Sequence, residues 1–367
     1  MSGIHQFVPM LHRRDAVGEH VRALRDLLRA AGYPSEIYTE LPDPETVAET
    51  RPFRSYEDDA VPGDVLVYQF ATRSDEAGWL QARPEPVVVN YHSITPPSYF
   101  GPWNDGIARS QAACQVELAG LAPTATLGIA VSRFDEAELR AAGCRRTEVV
   151  PVVNVSGSGS PPDPDEEARL AGWAGGGPLW LSVGRLAPNK RHESVLAAFY
   201  VYRQEIDPSA RLAIVGAPTE PNYAAALRRY RTRLGLDEVV AFRTGLTPGQ
   251  LAALYRSASV LVSLSEHEGF GVPLVEAMRS ELPIVARAAG AVPETVGEAG
   301  LLLGASGPRQ VAASVSTVLH SPDLVSAMVA AAPAQLAALA VDDAPRRLVE
   351  VLGAVARAAC GNPPPTK

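Results

Sequence analysis

The sequence predicts an α/β protein made of two consecutive doubly wound, parallel-sheet domains. Three observations carry this. At 367 residues the chain has the length of two ordinary domains. Short apolar runs alternate with amphipathic helical patterns in both halves, which implies parallel sheets covered on both faces. A stretch rich in Gly, Ser and Pro separates the two alternations. Because 46% of the residues are apolar, each half can bury a core of its own.

In the first half, Ile4–Val8 reads as a strand and Gly18–Ala31 as a helix ending at Gly32. Strand-like runs follow at Glu36–Tyr38, Val65–Tyr68, Val87–Asn90, Leu127–Val131 and Glu148–Val152. Ser132 caps a helix that Gly143 stops. Asn154–Pro178 breaks the pattern around one short acidic helix. Strands are then expected at Leu179–Val183, Arg211–Val215, Val239–Arg243, Val260–Ser263 and Ile284–Ala286. Helices are expected at His192–Ile206, Tyr223–Leu234, Thr247–Ser257 and Val272–Ser280, and Pro308–Arg357 reads as terminal helices. The domain reading is 1–155, a linker 156–178, a second domain 179–340, and a terminal helix and tail 341–367 able to pack back on the first domain. Two such domains place a cleft between them, and ligands of such sheets bind beyond the carboxyl ends of the strands.

Composition narrows the function classes. Residues 1–150 carry 14 Arg, no Lys and 21 acidic residues, a balance of −7; the remaining 19 basic and 20 acidic residues give −1. An acidic first half is a poor surface for nucleic acid or anionic lipid. No run of 18 apolar residues is present, and Met1–Met10 reads as a first strand rather than a signal peptide, so no membrane insertion is expected. Cys114, Cys144 and Cys360 are too scattered for a disulfide framework or a metal site, and a reducing cytoplasm fits them.

Two segments carry chemistry. In S-L-S-E-H-E-G-F-G-V-P-L-V-E-A-M, from Ser263 to Met278, a strand runs into a polar turn and then a helix. Gly269 and Gly271 permit a backbone path that aims N–H groups outward, and the helix N-terminus adds positive potential. Glu268 and Glu276 put a carboxylate at each end of this turn, suited to different hydroxyls of one ligand; taken alone, the same residues also suit a solvated Gly-rich turn. In V-G-R-L-A-P-N-K, from Val183 to Lys190, Arg185 and Lys190 share one loop. Two cations there can balance a diphosphate leaving group without a metal, although a basic helix start would look similar. Only Lys190 and Lys367 are lysines in the whole chain, which makes an internal Lys informative.

Together these segments resemble the retaining glycosyltransferases of the two-Rossmann, GT-B fold, similar to glycosyltransferase family 4 with its glutamate–seven residues–glutamate motif. The resemblance rests on the V-G-R-L loop with Lys190, on E-G-F-G-V-P-L-V-E-A-M, and on A-A-G-A-V-P-E-T-V from Ala288 to Val296. It is strong over residues 179–304 and weak in the first half. It implies that Arg185 and Lys190 grip the donor diphosphate, that Glu276 holds the ribose, and that Glu268 meets the donor sugar. The backbone of Gly269, Phe270, Gly271 and Val272 would face sugar and phosphates, with Gly216 and Leu246 near ribose and base. Two departures are local: Glu281 replaces a small residue in its turn, and Gly290 is flanked by alanines.

The first domain would carry the acceptor. Gly18, in the loop from Arg13 to His20, matches the family glycine near the donor phosphate, and His92 matches a His in the acceptor-side cleft. Tyr91, Tyr99, Phe100 and Trp103 follow as candidates to stack on a sugar-like acceptor, or as core. Asp15, Glu19, Asp75, Glu76 and Asp105 are candidates for an acidic cleft mouth, or simply solubilising charge. The resemblance implies retention by front-face attack, with a nucleotide diphosphate sugar, UDP- or GDP-linked, as co-substrate and no metal or other cofactor. The expected acceptor is a small sugar, aminocyclitol or natural product. Synthesis of cell-surface polysaccharide or glycolipid is the alternative reaction, and a non-catalytic sugar-nucleotide sensor is the alternative of another class.

Overall fold

The computed structural model describes residues 2–12, 16–152 and 160–361. The chain divides into two units. The first comprises Met1–Pro97, Gly106–Asn154 and Ala340–Lys367; the second comprises Ser98–Asp105 and Val155–Leu339.

In the first unit the strands are β1 (Ile4–Met10), β2 (Ile37–Leu41), β3 (Arg51–Pro52), β4 (Val65–Phe70), β5 (Val87–Tyr91), β6 (Leu127–Ala130) and β7 (Thr147–Val149). They form one sheet in the order β3-β2-β1-β4-β5-β6-β7, and every pairing is parallel. The order reverses between β1 and β4, as it must in a doubly wound sheet. One face packs Ile4, Val65, Val67, Val88 and Ile129 against Leu24 and Leu28 of the helix Ala16–Ala30. The terminal helix Ala344–Ala359 covers the same face with Leu348, Leu352 and Val355. Each of these buried leucines is worth about 1.5–3 kcal/mol of transfer free energy, which ties the chain end to this sheet.

In the second unit the strands are β8 (Leu179–Val183), β9 (Arg211–Val215), β10 (Val240–Arg243), β11 (Val260–Ser263), β12 (Ile284–Arg287) and β13 (Leu301–Leu303). The order is β10-β9-β8-β11-β12-β13, again all parallel, with the reversal between β8 and β11. The sequence pattern missed β3 and β13, two edge strands of two and three residues. Such short runs offer no periodicity to read. The acidic helix of the linker is Pro164–Ala174, capped by Asp163, whose side chain accepts from the N–H groups of Asp165 and Glu166. Residues 153–159, which include the first four of that linker, lie outside the described residues.

By length and composition the helical stretch Pro322–Ala359 suffices to cross a membrane. A search for uninterrupted apolar runs passes over it, because Ser326, Pro333 and Gln335 interrupt the alanines and valines. The stretch is two helices, Pro322–Leu339 and Ala344–Ala359. The first is anchored by buried Met328 and Ala332, and Gln335 Nε2 donates to the carbonyls of Glu294 and Thr295.

Candidate active site

The two informative loops leave the carboxyl ends of β8 and β11, the strands that flank the reversal of the second sheet. Residues separated by some 80 positions in sequence meet there for that reason. Lys190 Nζ lies 2.5 Å from Glu268 Oε2, and the two side chains are only 14% and 13% exposed. The sequence reading gave Lys190 to the phosphates and Glu268 to the sugar; the structure joins them as an ion pair. An ammonium has three donors, so Lys190 can keep Glu268 and still present N–H groups to an anion. Arg185 is exposed, and among the described residues its side chain makes no ion pair.

The Lys190 loop is a short 3-10 turn, Pro188–Lys190, followed by Arg191 in the left-handed region at φ 54°. Three contacts stitch it to the Glu268 loop. Glu266 N–H donates to the Asn189 carbonyl at 2.8 Å, and Asn189 Nδ2 donates to the His267 carbonyl at 3.1 Å. The Glu266 carboxylate takes Arg287 at 2.7 Å and lies 3.5 Å from Arg191. None of Asn189, Glu266 or Arg287 carried a sequence signal, because their roles depend on two loops meeting.

Beneath β8, buried His192 holds the Arg185 backbone. Its Nε2 lies 3.2 Å from the carbonyls of both Gly184 and Arg185, and its Nδ1 lies 3.4 Å from Ser182 Oγ. Two carbonyls can only accept, so Nε2 carries the proton. Burial lowers the imidazole pKa from 6.5 to about 4. A folded-state pKa below the unfolded value means that the unfolded chain takes up the proton first. This group therefore costs no stability above pH 6.5 and removes about 3 kcal/mol progressively as the pH falls to 4. Denaturant titrations from pH 7 to pH 4 should show this loss, and His192→Gln should flatten the slope. An unchanged slope would separate His192 from the acid sensitivity.

The Glu268–Gly271 turn is tightly held. Gly290 sits at φ +57°, and a Cβ there would come within 2.5 Å of the Glu268 carbonyl oxygen and 2.9 Å of its nitrogen. Ala291 N–H donates to that same carbonyl at 2.8 Å, and Thr295 Oγ1 donates to the Phe270 carbonyl at 2.5 Å. The single Gly290 therefore meets the backbone requirement without a second glycine beside it. Gly271 is left-handed at φ 90° and starts the helix Val272–Arg279. Among the described residues, the N–H groups of Gly269, Phe270, Gly271 and Val272 donate to no protein acceptor. Four such groups at a helix N-terminus are suited to an anion or to sugar oxygens. The Phe270 side chain itself is buried, so only its backbone is available.

Glu276 is buried on that helix, and its Oε2 accepts from Tyr255 Oη at 2.6 Å. Burial and this carboxylate push the Tyr255 phenol well above its ordinary pKa, so it stays a donor. Gly216 directly follows β9, where no side chain fits: its Cβ would lie 1.9 Å from the Gly184 carbonyl oxygen. Leu246 is partly buried just before Thr247, whose side chain and Gln250 form a capping box. Glu281 occupies the left-handed position at φ 54° after the helix Val272–Arg279, with Leu282 N–H bonding the Ala277 carbonyl at 2.9 Å. That is a Schellman-type stop, where glycine is the usual occupant.

In the first unit, Gly18 lies buried in the first turn of the helix Ala16–Ala30; Arg13, Arg14 and Asp15 lie outside the described residues. His92 directly follows β5, and its Nε2 is 2.7 Å from Gln69 Oε1. Tyr91 is corrected from stacking platform to core. Its ring packs on Phe70 and its hydroxyl donates to Glu138 at 2.7 Å, so no face is left for a ligand. The aromatics after His92 do not form one cluster. Tyr99 and Trp103 belong to the second unit, where Tyr99 Oη lies 3.4 Å from the Glu266 carbonyl and Trp103 packs edge-on against Tyr223. Of the acidic candidates, Asp75 is paired with Arg73 and Glu76 with Arg54, which reduces their free charge.

Two parallel, doubly wound sheets in these strand orders give the GT-B fold. The family model described as glycosyl transferases group 1 matches residues 164–335, the segment that bears the site. The D-inositol 3-phosphate glycosyltransferase of Streptomyces griseus is 34% identical over 179 residues, 47% of this chain and 38% of the relative. That of Thermomonospora curvata is 31% identical over 195 residues, 51% of this chain and 45% of the relative. The matched stretch is thus less than half the length of either relative. Among solved structures, sucrose-phosphate synthase from Thermosynechococcus elongatus superposes with a TM-score of 0.78 at 21% identity, over 98% of this chain and 100% of the other. Anabaena HepE in complex with UDP-glucose gives 0.72 at 18% identity, over 96% and 99%. These two show the fold.

Proposed function

We propose that this protein is a retaining glycosyltransferase that moves a hexose or hexosamine from a UDP- or GDP-linked donor to a hydroxyl of a small acceptor. The observation that carries this reading is the convergence, at the ends of β8 and β11, of Lys190, Glu268 and four N–H groups that donate to no acceptor among the described residues. Cation, amides and helix N-terminus offer stabilisation to charge growing on a departing diphosphate. Glu268 and Glu276 offer acceptors to sugar and ribose hydroxyls. HepE, a fold neighbour, is described with UDP-glucose, which supports UDP as the first base to test.

The relatives named for inositol 3-phosphate support a polyhydroxylated ring as acceptor. The acidic balance of residues 1–150 disfavours a phosphorylated one and favours a neutral or amino-bearing cyclitol or sugar. The chemistry proposed is front-face attack, in which the leaving phosphate takes the acceptor proton while Lys190 and Arg185 balance its charge.

Incubation with UDP- and GDP-sugars and a cyclitol panel in excess chelator should give a product whose anomeric configuration, read by NMR coupling constants, equals that of the donor. Inversion would refute retention. Activity abolished by chelator and restored by a divalent ion would refute the metal-independent route. Binding of sugar nucleotide without hydrolysis or transfer would make the protein a sensor.

A further inference from the structure

The first unit contains a buried polar chain that takes no part in the proposed donor site. Gln6 on β1, Gln69 on β4 and Asn90 on β5 are polar residues in largely apolar strands and are all fully buried. Gln69 and Asn90 are register partners across β4 and β5. Buried amides are costly unless every group is satisfied, so their directions are informative.

The chain can be read from its one unambiguous end. The Val21 carbonyl can only accept, so the Gln6 atom 2.9 Å from it is the donor, Nε2. Gln6 Oε1 then faces Gln69 and must accept from Gln69 Nε2, at 2.8 Å. That turns Gln69 Oε1 toward β5, where it accepts from Asn90 Nδ2 at 2.9 Å and meets His92 Nε2 at 2.7 Å. An amide oxygen has nothing to donate, so His92 Nε2 carries the hydrogen. Asn90 Nδ2 also lies 2.9 Å from His20 Nε2, and the two imidazoles stand edge to face with centroids 5.2 Å apart.

We propose that Gln6 and Gln69 are positioning residues that lock His92 as the Nε2–H tautomer, so that Nδ1 is left as an acceptor for a hydroxyl of the sugar-bearing substrates. This rests on the glycosyltransferase reading. Among the described residues no group bonds His92 Nδ1, and the ring is only partly buried. Burial first, and then His20, lower the His92 pKa well below its ordinary value, which keeps the ring neutral with a lone pair on Nδ1. Ser93, the next residue, stands in the left-handed region at φ 57°, a strained conformation of the kind retained at functional sites.

The test is direct observation of the tautomer. In protein labelled with 15N-histidine, long-range proton–nitrogen spectra at neutral pH should show His92 with Nε2 protonated and Nδ1 bare, whether or not a donor has been found. A wild-type His92 protonated on Nδ1, or on both nitrogens, overturns the proposal without touching the proposed function. Gln69→Leu should yield a tautomer mixture and lower turnover at least tenfold while leaving affinity for the bare nucleoside diphosphate within twofold. Gln69→Glu, nearly isosteric, should protonate both nitrogens and abolish the acceptor. Loss of donor hydrolysis and transfer together assigns the partner hydroxyl to the donor sugar; a raised acceptor KM with intact hydrolysis assigns it to the acceptor. Unchanged tautomer and turnover in both variants would overturn the lock.

Discussion

Lys190→Ala should lower single-turnover transfer by about two to three orders of magnitude, or about 2.7–4 kcal/mol of transition-state stabilisation. The size follows from where the ammonium sits. It is 14% exposed and held by Glu268 Oε2, in a loop whose backbone is pinned to the neighbouring loop through Asn189. A charge fixed before the reaction begins needs no reorganisation as the phosphate departs. Removing it also leaves the Glu268 carboxylate without its cation in a partly desolvated site, so the donor would meet repulsion instead of attraction. Arg185→Ala should produce a smaller loss, because that side chain is exposed and screened by solvent. Rapid-quench measurements at saturating donor separate this effect from weakened binding. Near-normal rates in both variants would remove the loop from the mechanism.

Glu276→Ala should weaken binding of a bare nucleoside diphosphate by about 30- to 150-fold, the loss of two charge-assisted hydrogen bonds at roughly 1–1.5 kcal/mol each. Buried on the helix Val272–Arg279 and held by Tyr255, the carboxylate has a fixed direction and can match two adjacent hydroxyls without losing side-chain entropy. Glu268→Ala should instead spare the bare nucleotide and weaken the intact sugar donor. Calorimetric titration of both ligands into both variants distinguishes the two roles. Equal losses for both ligands in both variants would show that the carboxylates do not divide ribose and sugar between them.

Much of this arrangement was legible along the chain. The period of the apolar runs determined two parallel sheets, since strands buried on both faces must be continuously apolar and their crossovers amphipathic. The motif from Glu268 to Glu276 is local, with a strand end, a turn and a helix start in one segment, so its elements follow from the residues themselves. The stop at Gly32 and the cap at Ser132 were local for the same reason, and Ser132 Oγ accepts from Asp135 N–H as a cap should.

What the sequence could not determine depends on strand order, which sets which loop ends are neighbours. The placement of β8 beside β11 brings Lys190 onto Glu268, and no spacing rule links positions 190 and 268. Tyr255 beneath Glu276 is also non-local, whereas His192 lies only seven residues beyond the Arg185 carbonyl it holds; each alone resembles an ordinary core residue. Strand neighbours also turn Gln6, Gln69 and Asn90 from three isolated polar interruptions into one directed chain ending at His92. In the same way the tertiary structure divided the aromatics: Tyr91 is the last residue of a buried strand of the first unit, while Tyr99 and Trp103 pack within the second. Periodicity reports which face of an element is buried; only the packed sheet decides what that face meets.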